Sequence, residues 1–199
     1  MTVDERLGQL FMIECRPTYG QAHIAEVERM VQQHHVGGII FFKGDPTEEV
    51  IMTNRFQAMS KTKLMIAIDG EWGLAMRLAN TVSYPYQLGL GGIQNEDVIY
   101  EMGVEIGRQC KRMGIHVNFA PVIDINNNPN NPVINYRSFG EDPENVSKKG
   151  WAYAKGMQDA GIIACAKHFP GHGDTDVDSH KDLPVINHSL ERLREVEFK

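Results

Sequence analysis

The sequence predicts an α/β protein built on a parallel sheet, of the (β/α)8 barrel type, on three observations. Amphipathic helical stretches alternate with short apolar runs, the order that parallel sheets require. The runs are nearly continuous rather than alternating, as expected of strands covered on both faces. The last four of the five runs each deliver a charged residue at or just past the C-terminal end, Lys43, Asp69, Asp124 and Lys167, which is the rim where barrel enzymes gather their chemistry.

Taken in chain order, Thr2-x-x-Glu5 reads as a capping box, and Leu10 to Ile13 is the first apolar run. Ile24, Val27, Met30 and Val31 share one helical face, Gly37-Gly38 reads as its stop, and Ile39-Ile40-Phe41-Phe42 follows before Lys43. Leu64 to Ile68 is the third run and ends at Asp69. Val98, Met102, Ile106 and Cys110 keep one face of the next helix, Gly114 closes it, and His116-Val117-Asn118-Phe119 runs on to Pro121 and Asp124. Asp142-Pro143 supplies a cap and a first-turn proline. Val146, Tyr153 and Met157 mark that helix's apolar side, Gly161 ends it, and Ile162 to Ala166 leads into Lys167-His168. Ser189 caps a last helix carrying Leu190, Leu193 and Val196. Units recur roughly every 40 residues, so eight would need about 300. Residues 1–199 are therefore expected to be the N-terminal portion of a longer barrel, about five βα units, lacking its last strands.

Lys and Arg number 20 against 26 Asp and Glu, a formal net charge of -6, with 42% hydrophobic and 23% charged residues. This is the balance of a chain that buries a core. It lacks the basic stripe that neutralises a phosphate backbone, so no nucleic-acid partner is expected. No apolar run reaches the roughly 20 residues that span a bilayer, and Met1 to Arg6 is not a signal peptide. The compartment stays open between cytoplasm and periplasm. Cys15, Cys110 and Cys165 are odd in number and widely spaced, neither a disulfide framework nor a metal clip, and read as free thiols. No cofactor is expected.

The densest polar cluster, Lys167 to His180, contains three His, three Asp and one Lys directly after an apolar run. Pro170, Gly171 and Gly173 make it a loop that turns tightly and can approach a ligand. Two chemistries compete for it. His168, His172, Asp178 and His180 are metal-ligand types suited to a metal-activated water, although Pro170 and Gly171 keep His168 and His172 off a common helix face. Alternatively Asp178 and His180, two apart in an extended segment, pair as an acid–base dyad in which the carboxylate fixes one ring nitrogen and frees the other for proton transfer.

The run Lys167-His168-Phe169-Pro170-Gly171-His172-Gly173, followed after four residues by Asp178-Ser179-His180, resembles the signature of glycoside hydrolase family 3, in its β-N-acetylglucosaminidase branch. Gly37 to Phe42, Ile68 to Glu71, Asn118 to Asp124 and Arg137 to Pro143 agree with that family's pattern in the same order. The resemblance implies a TIM-type barrel and retaining hydrolysis of terminal N-acetylglucosamine from short glycans such as muropeptides or chitooligosaccharides. It implies His180 as general acid and base with Asp178 as its partner, and Asp69, Arg137, Lys167 and His168 as sugar-binding residues. No metal is implied. It places the nucleophilic Asp on a later strand, so that this chain alone is expected to be inactive, and leaves room for a further C-terminal domain in the parent protein. Gly70, Trp72-Gly73 and the Asn-rich stretch 126–135 depart from the family pattern near the rim. A family 3 β-glucosidase, a phosphorylase and a non-catalytic sugar-binding barrel are the competing readings.

Overall fold

A computed structural model describes residues 1–199. Its strands are β1 (Met12–Cys15), β2 (Gly38–Phe41), β3 (Met65–Ile68), β4 (Val117–Asn118) and β5 (Ile163–Ala164), in one sheet ordered β1-β2-β3-β4-β5. The first four run parallel, with Met12 opposite Gly38, Gly38 opposite Met65 and Ala67 opposite Val117. The helices are α1 (Val3–Gly8), α2 (Gln21–Gln33), α3 (Pro46–Met59), α4 (Gln87–Gly91), α5 (Glu96–Arg112), α6 (Pro143–Asp159) and α7 (Leu190–Glu195). The alternation expected of an α/β barrel is present for five strands, in strict sequence order, with β1 and β5 as the sheet's edges.

The local reasons for the helices are visible at their ends. Thr2 and Glu5 form the capping box of α1, each side chain accepting the other's backbone N–H. Asp142 accepts the Glu144 N–H at 3.1 Å and Pro143 opens α6. Gly114 and Gly161, at φ 76 and 91, follow α5 and α6 in the left-handed conformation that a side chain resists. Ser189 caps α7 through the Arg192 N–H.

Two details differ from the sequence reading. The first strand begins at Met12, and Leu10 and Phe11 sit outside it, 79% and 61% exposed. Their backbone N–H groups bond back to Leu7 and Gly8, so they finish the turn after α1 rather than start the ladder. Helix α2 stops at His34 and His35, the latter at φ 52, before Gly37 is reached.

The chain divides into two compact units. The first comprises Met1–Tyr84, Ile106–Phe119 and Gly161–Ile163; the second comprises Pro85–Glu105, Ala120–Ala160 and Ala164–Lys199. The core of the first unit joins Ile24, Val27 and Val31 of α2 with Ile39, Phe41, Ile66 and Ile68 of the sheet and Phe56 of α3. That of the second joins Ile99 and Met102 of α5 with Val146, Tyr153 and Met157 of α6 and Phe139. Burial of these side chains is the main stabilising term in each.

Candidate active site

In the first unit, β3 delivers Asp69 at its C-terminal end, as predicted. The residue is not left to itself. Arg77 donates from Nε to the Asp69 carbonyl at 3.1 Å and from a terminal nitrogen to the Asp69 carboxylate. The Arg77 guanidinium also lies 4.5 Å from the Phe42 ring centroid, a cation–π contact that fixes its plane. Asp69 is thus held by Arg77, and its side chain is 17% exposed. Arg77 escaped the sequence reading because eight residues and a 3-10 turn over Leu74–Met76 separate it from Asp69.

In the second unit the centre is Asp124, whose side chain is fully buried. Its carboxylate accepts the His168 backbone N–H at 3.2 Å, the His172 backbone N–H at 2.7 Å, and the His168 ring at Nδ1, 2.6 Å away. A carboxylate only accepts, so Nδ1 of His168 carries the proton and Nε2 is the atom it presents outward. Lys167 is placed by the backbone: its carbonyl accepts from Ile123 at 2.7 Å and its N–H bonds the Pro121 carbonyl at 3.1 Å. These bonds continue the sheet past its last strands and set Lys167 and His168 at the rim. Arg137 follows from a short 3-10 turn and donates to the Val133 carbonyl at 3.4 Å.

The loop from 167 to 180 rests on the Asn-rich stretch. The Asn131 amide donates to the carbonyls of His172 and Thr175 at 2.7 and 2.9 Å, while its oxygen accepts from the backbone of Val133 and Ile134. Asn128 donates to the Asp174 carbonyl at 3.1 Å and to the Asp176 carboxylate at 2.6 Å. Gly173 makes the close fit available, since a Cβ there would stand 1.7 Å from the Ile125 carbonyl oxygen. The Asn-rich stretch, without a role in the sequence reading, is therefore the seat of the loop.

Asp178 and His180 come together, in a turn rather than the extended segment expected, with Oδ1 and Nδ1 2.7 Å apart and the His180 N–H on the same oxygen at 2.9 Å. The backbone bond from His180, then its ring bond, hold the Asp178 carboxyl below its usual range. Asp178 is thus the ionised acceptor, His180 carries its proton on Nδ1, and Nε2 is left for chemistry. The His180 side chain is 76% exposed and open to a substrate. His172, by contrast, has both ring nitrogens bonded, to Thr175 and Ser179.

The family model described as glycosyl hydrolase family 3 N terminal domain matches residues 2–199. The chain belongs to this family. It is 34% identical over 221 residues to β-hexosaminidase A of Pseudoalteromonas piscicida, covering 98% of this chain and 37% of that protein. The Mycobacterium tuberculosis β-hexosaminidase LpqI is 32% identical over 182 residues, 88% of this chain and 45% of the relative. Among solved structures, a family 3 β-N-acetylglucosaminidase from Paenibacillus sp. str. FPU-7 superposes with a TM-score of 0.87 at 38% identity, covering 99% of this chain and 38% of that one. A β-glucoside phosphorylase, BglX, superposes at 0.91 with 25% identity, covering 100% and 35%. The chain thus spans less than half the length of these relatives, and the five-stranded parallel sheet is the corresponding part of the family's barrel.

Proposed function

We propose that the full-length protein is a retaining β-N-acetylglucosaminidase in which His180, paired with Asp178, is the general acid and base. The observation that carries this is the Asp178–His180 bond, which frees Nε2 on an exposed ring at the loop beyond β5. The β-hexosaminidase relatives and the Paenibacillus structure support the sugar: terminal N-acetylglucosamine on short glycans such as muropeptide fragments or chitooligosaccharides.

In this reading Lys167, His168, Arg137 and Asp69 hold the terminal sugar. Lys167 and Arg137 supply charge-assisted donors, His168 offers Nε2, and the Asp69 carboxylate accepts from ring hydroxyls while Arg77 keeps it turned. A protonated His180 gives its Nε2 proton to the departing glycosidic oxygen as a carboxylate attacks the anomeric carbon. The neutral ring then takes a proton from the water that releases the sugar. Asp178 stabilises the protonated state and keeps the proton relay on Nε2. The attacking carboxylate is assigned to a later strand of the full-length protein, by family resemblance.

The leaving group tests this assignment. His180→Ala in the full-length protein lowers kcat/KM on a chitooligosaccharide by about 10² to 10⁴. It lowers kcat/KM on an activated aryl glycoside far less, because that constant reports only the first step and this leaving group needs no proton, while kcat still falls as the second step loses its base. Equal losses of kcat/KM on both substrates contradict the role. A neutral His repels phosphate less than a carboxylate does, and the phosphorylase neighbour makes that second route specific. Sugar 1-phosphate among the products in phosphate buffer would identify it.

A further inference from the structure

We propose that His172 and Ser179 are positioning residues for the acid–base pair: His172, whose backbone N–H is anchored on Asp124 and whose ring is held by Thr175, bonds the Ser179 hydroxyl and so fixes the two residues on either side of it, Asp178 and His180. This rests on the glycosidase reading above and deepens it.

The problem the structure must solve is that the dyad is held mainly by itself. The His180 ring is 76% exposed and the Asp178 side chain 23%, so packing does little to place them. Ser179, between them, bonds through Oγ to Nε2 of His172 at 3.0 Å. His172 is 7% exposed, and its polar groups are engaged on every side. Its N–H goes to Asp124 at 2.7 Å, and its carbonyl accepts from Asn131 at 2.7 Å and from the Thr175 hydroxyl at 3.0 Å.

The Thr175 hydroxyl lies within reach of both the His172 carbonyl and the His172 Nδ1. With its one proton on the carbonyl, it accepts from a protonated Nδ1, and Nε2 then accepts from the Ser179 hydroxyl; in the other tautomer Nε2 donates to the same oxygen. In either tautomer contacts run from Asp124, through the backbone N–H of His172, and from the His172 ring to the middle residue of the Asp178-Ser179-His180 segment. The same carboxylate binds Nδ1 of His168. One buried group thereby fixes both a sugar-binding ring and the segment that carries the proton donor.

Proton transfer needs Nε2 of His180 within hydrogen-bond reach of the glycosidic oxygen, and a misplacement of about 1 Å can cost about 10² in rate. Ser179 is exposed and touches no sugar in this reading. Its removal should act through His180 alone.

The test is a kinetic cycle in the full-length protein with a chitooligosaccharide as substrate. Ser179→Ala lowers kcat about 10- to 100-fold with KM within about twofold. Ser179→Thr, which keeps the hydroxyl, recovers most of the loss. In a His180→Ala background Ser179→Ala adds less than about twofold, because the residue it positions is gone. Losses that multiply in the double variant, or that fall on KM alone, overturn the proposal while leaving the role of His180 intact. If His180→Ala is as active as the parent, the glycosidase assignment fails instead, and nitrogen NMR of the His172 ring decides the positioning bond separately. An Nε2 resonance that moves on Ser179→Ala supports the bond. A ring indifferent to Ser179→Ala overturns it.

Discussion

Asp124 shows how much a single side chain can organise. Its carboxylate takes two backbone N–H groups and one imidazole N–H in a fully buried position. Asp124→Asn puts an amide donor where only acceptors fit, and leaves at least one buried donor unpaired. Urea unfolding of the full-length protein is expected to show a loss of about 1–3 kcal/mol, with KM for the acetamido sugar raised as His168 loses its fixed tautomer. An unchanged midpoint and KM would contradict the arrangement. The sequence marked Asp124 as a charge beyond a strand, but its partners lie 44 and 48 residues downstream. Only the fold brings them near, so spacing alone had no means of finding the bond. The Asp178–His180 pair was legible because its partners are two residues apart, but the geometry that joins them is not the extended segment the sequence reading assumed: the Lys181 and Asp182 N–H groups bond the Asp178 carbonyl, and the Asp178 carboxylate turns back onto the His180 N–H and ring.

At the scale of the element, α3 is the instructive helix. Asp45 and Pro46 announce it as clearly as Asp142 and Pro143 announce α6, with the Asp45 carboxylate accepting the Thr47 N–H at 2.8 Å. Its buried positions are Glu49, Thr53 and Phe56, so an apolar stripe is the wrong thing to look for. Glu49 is 0% exposed, both its carboxyl oxygens lack a hydrogen-bond partner, and burial pushes its pKa from 4.5 to about 8. Below 4.5 the folded and unfolded chains both hold this proton. Between 4.5 and about 8 only the folded chain does, so stability falls as pH rises, by roughly 1.4 kcal/mol per pH unit from this group. Glu49→Gln should flatten that part of the profile in unfolding experiments run from pH 5 to 9; a profile parallel to the parent's would contradict the buried neutral acid. Burial first, then the Glu49 charge, also raises the thiols of Cys15 and Cys110 to about 12. An alkylating reagent at neutral pH should label the half-buried Cys165 first, as mass mapping of the modified peptides would show.

Across the whole molecule, the strand order and the rim were readable because parallel βα units write themselves as repeated helix, glycine and apolar run. That an incomplete barrel leaves open edges and uncovered apolar surface was readable too, but not which residues carry it. Leu10, Phe11, Met65 and Ile163 are 79%, 61%, 44% and 53% exposed and line one concavity of the first unit. Apolar surface of this kind, beside a sheet with two edges, favours association. Residues 1–199 expressed alone should therefore sediment as a concentration-dependent mixture, and a strictly monomeric species across a hundredfold range of concentration would contradict this. No helix is long and apolar enough to cross a membrane. The account's central claim is that this rim binds an acetamido sugar and that His180 handles its proton. The most direct test compares hydrolysis of an aryl N-acetyl-β-glucosaminide with the matching β-glucoside by the full-length protein, with a chitooligosaccharide alongside and His180→Ala in parallel. Strong preference for the acetamido sugar, with chitooligosaccharide turnover lost in the variant, is the predicted result. Equal rates on both aryl sugars, or a variant that cleaves the oligosaccharide as well as the parent, would contradict it.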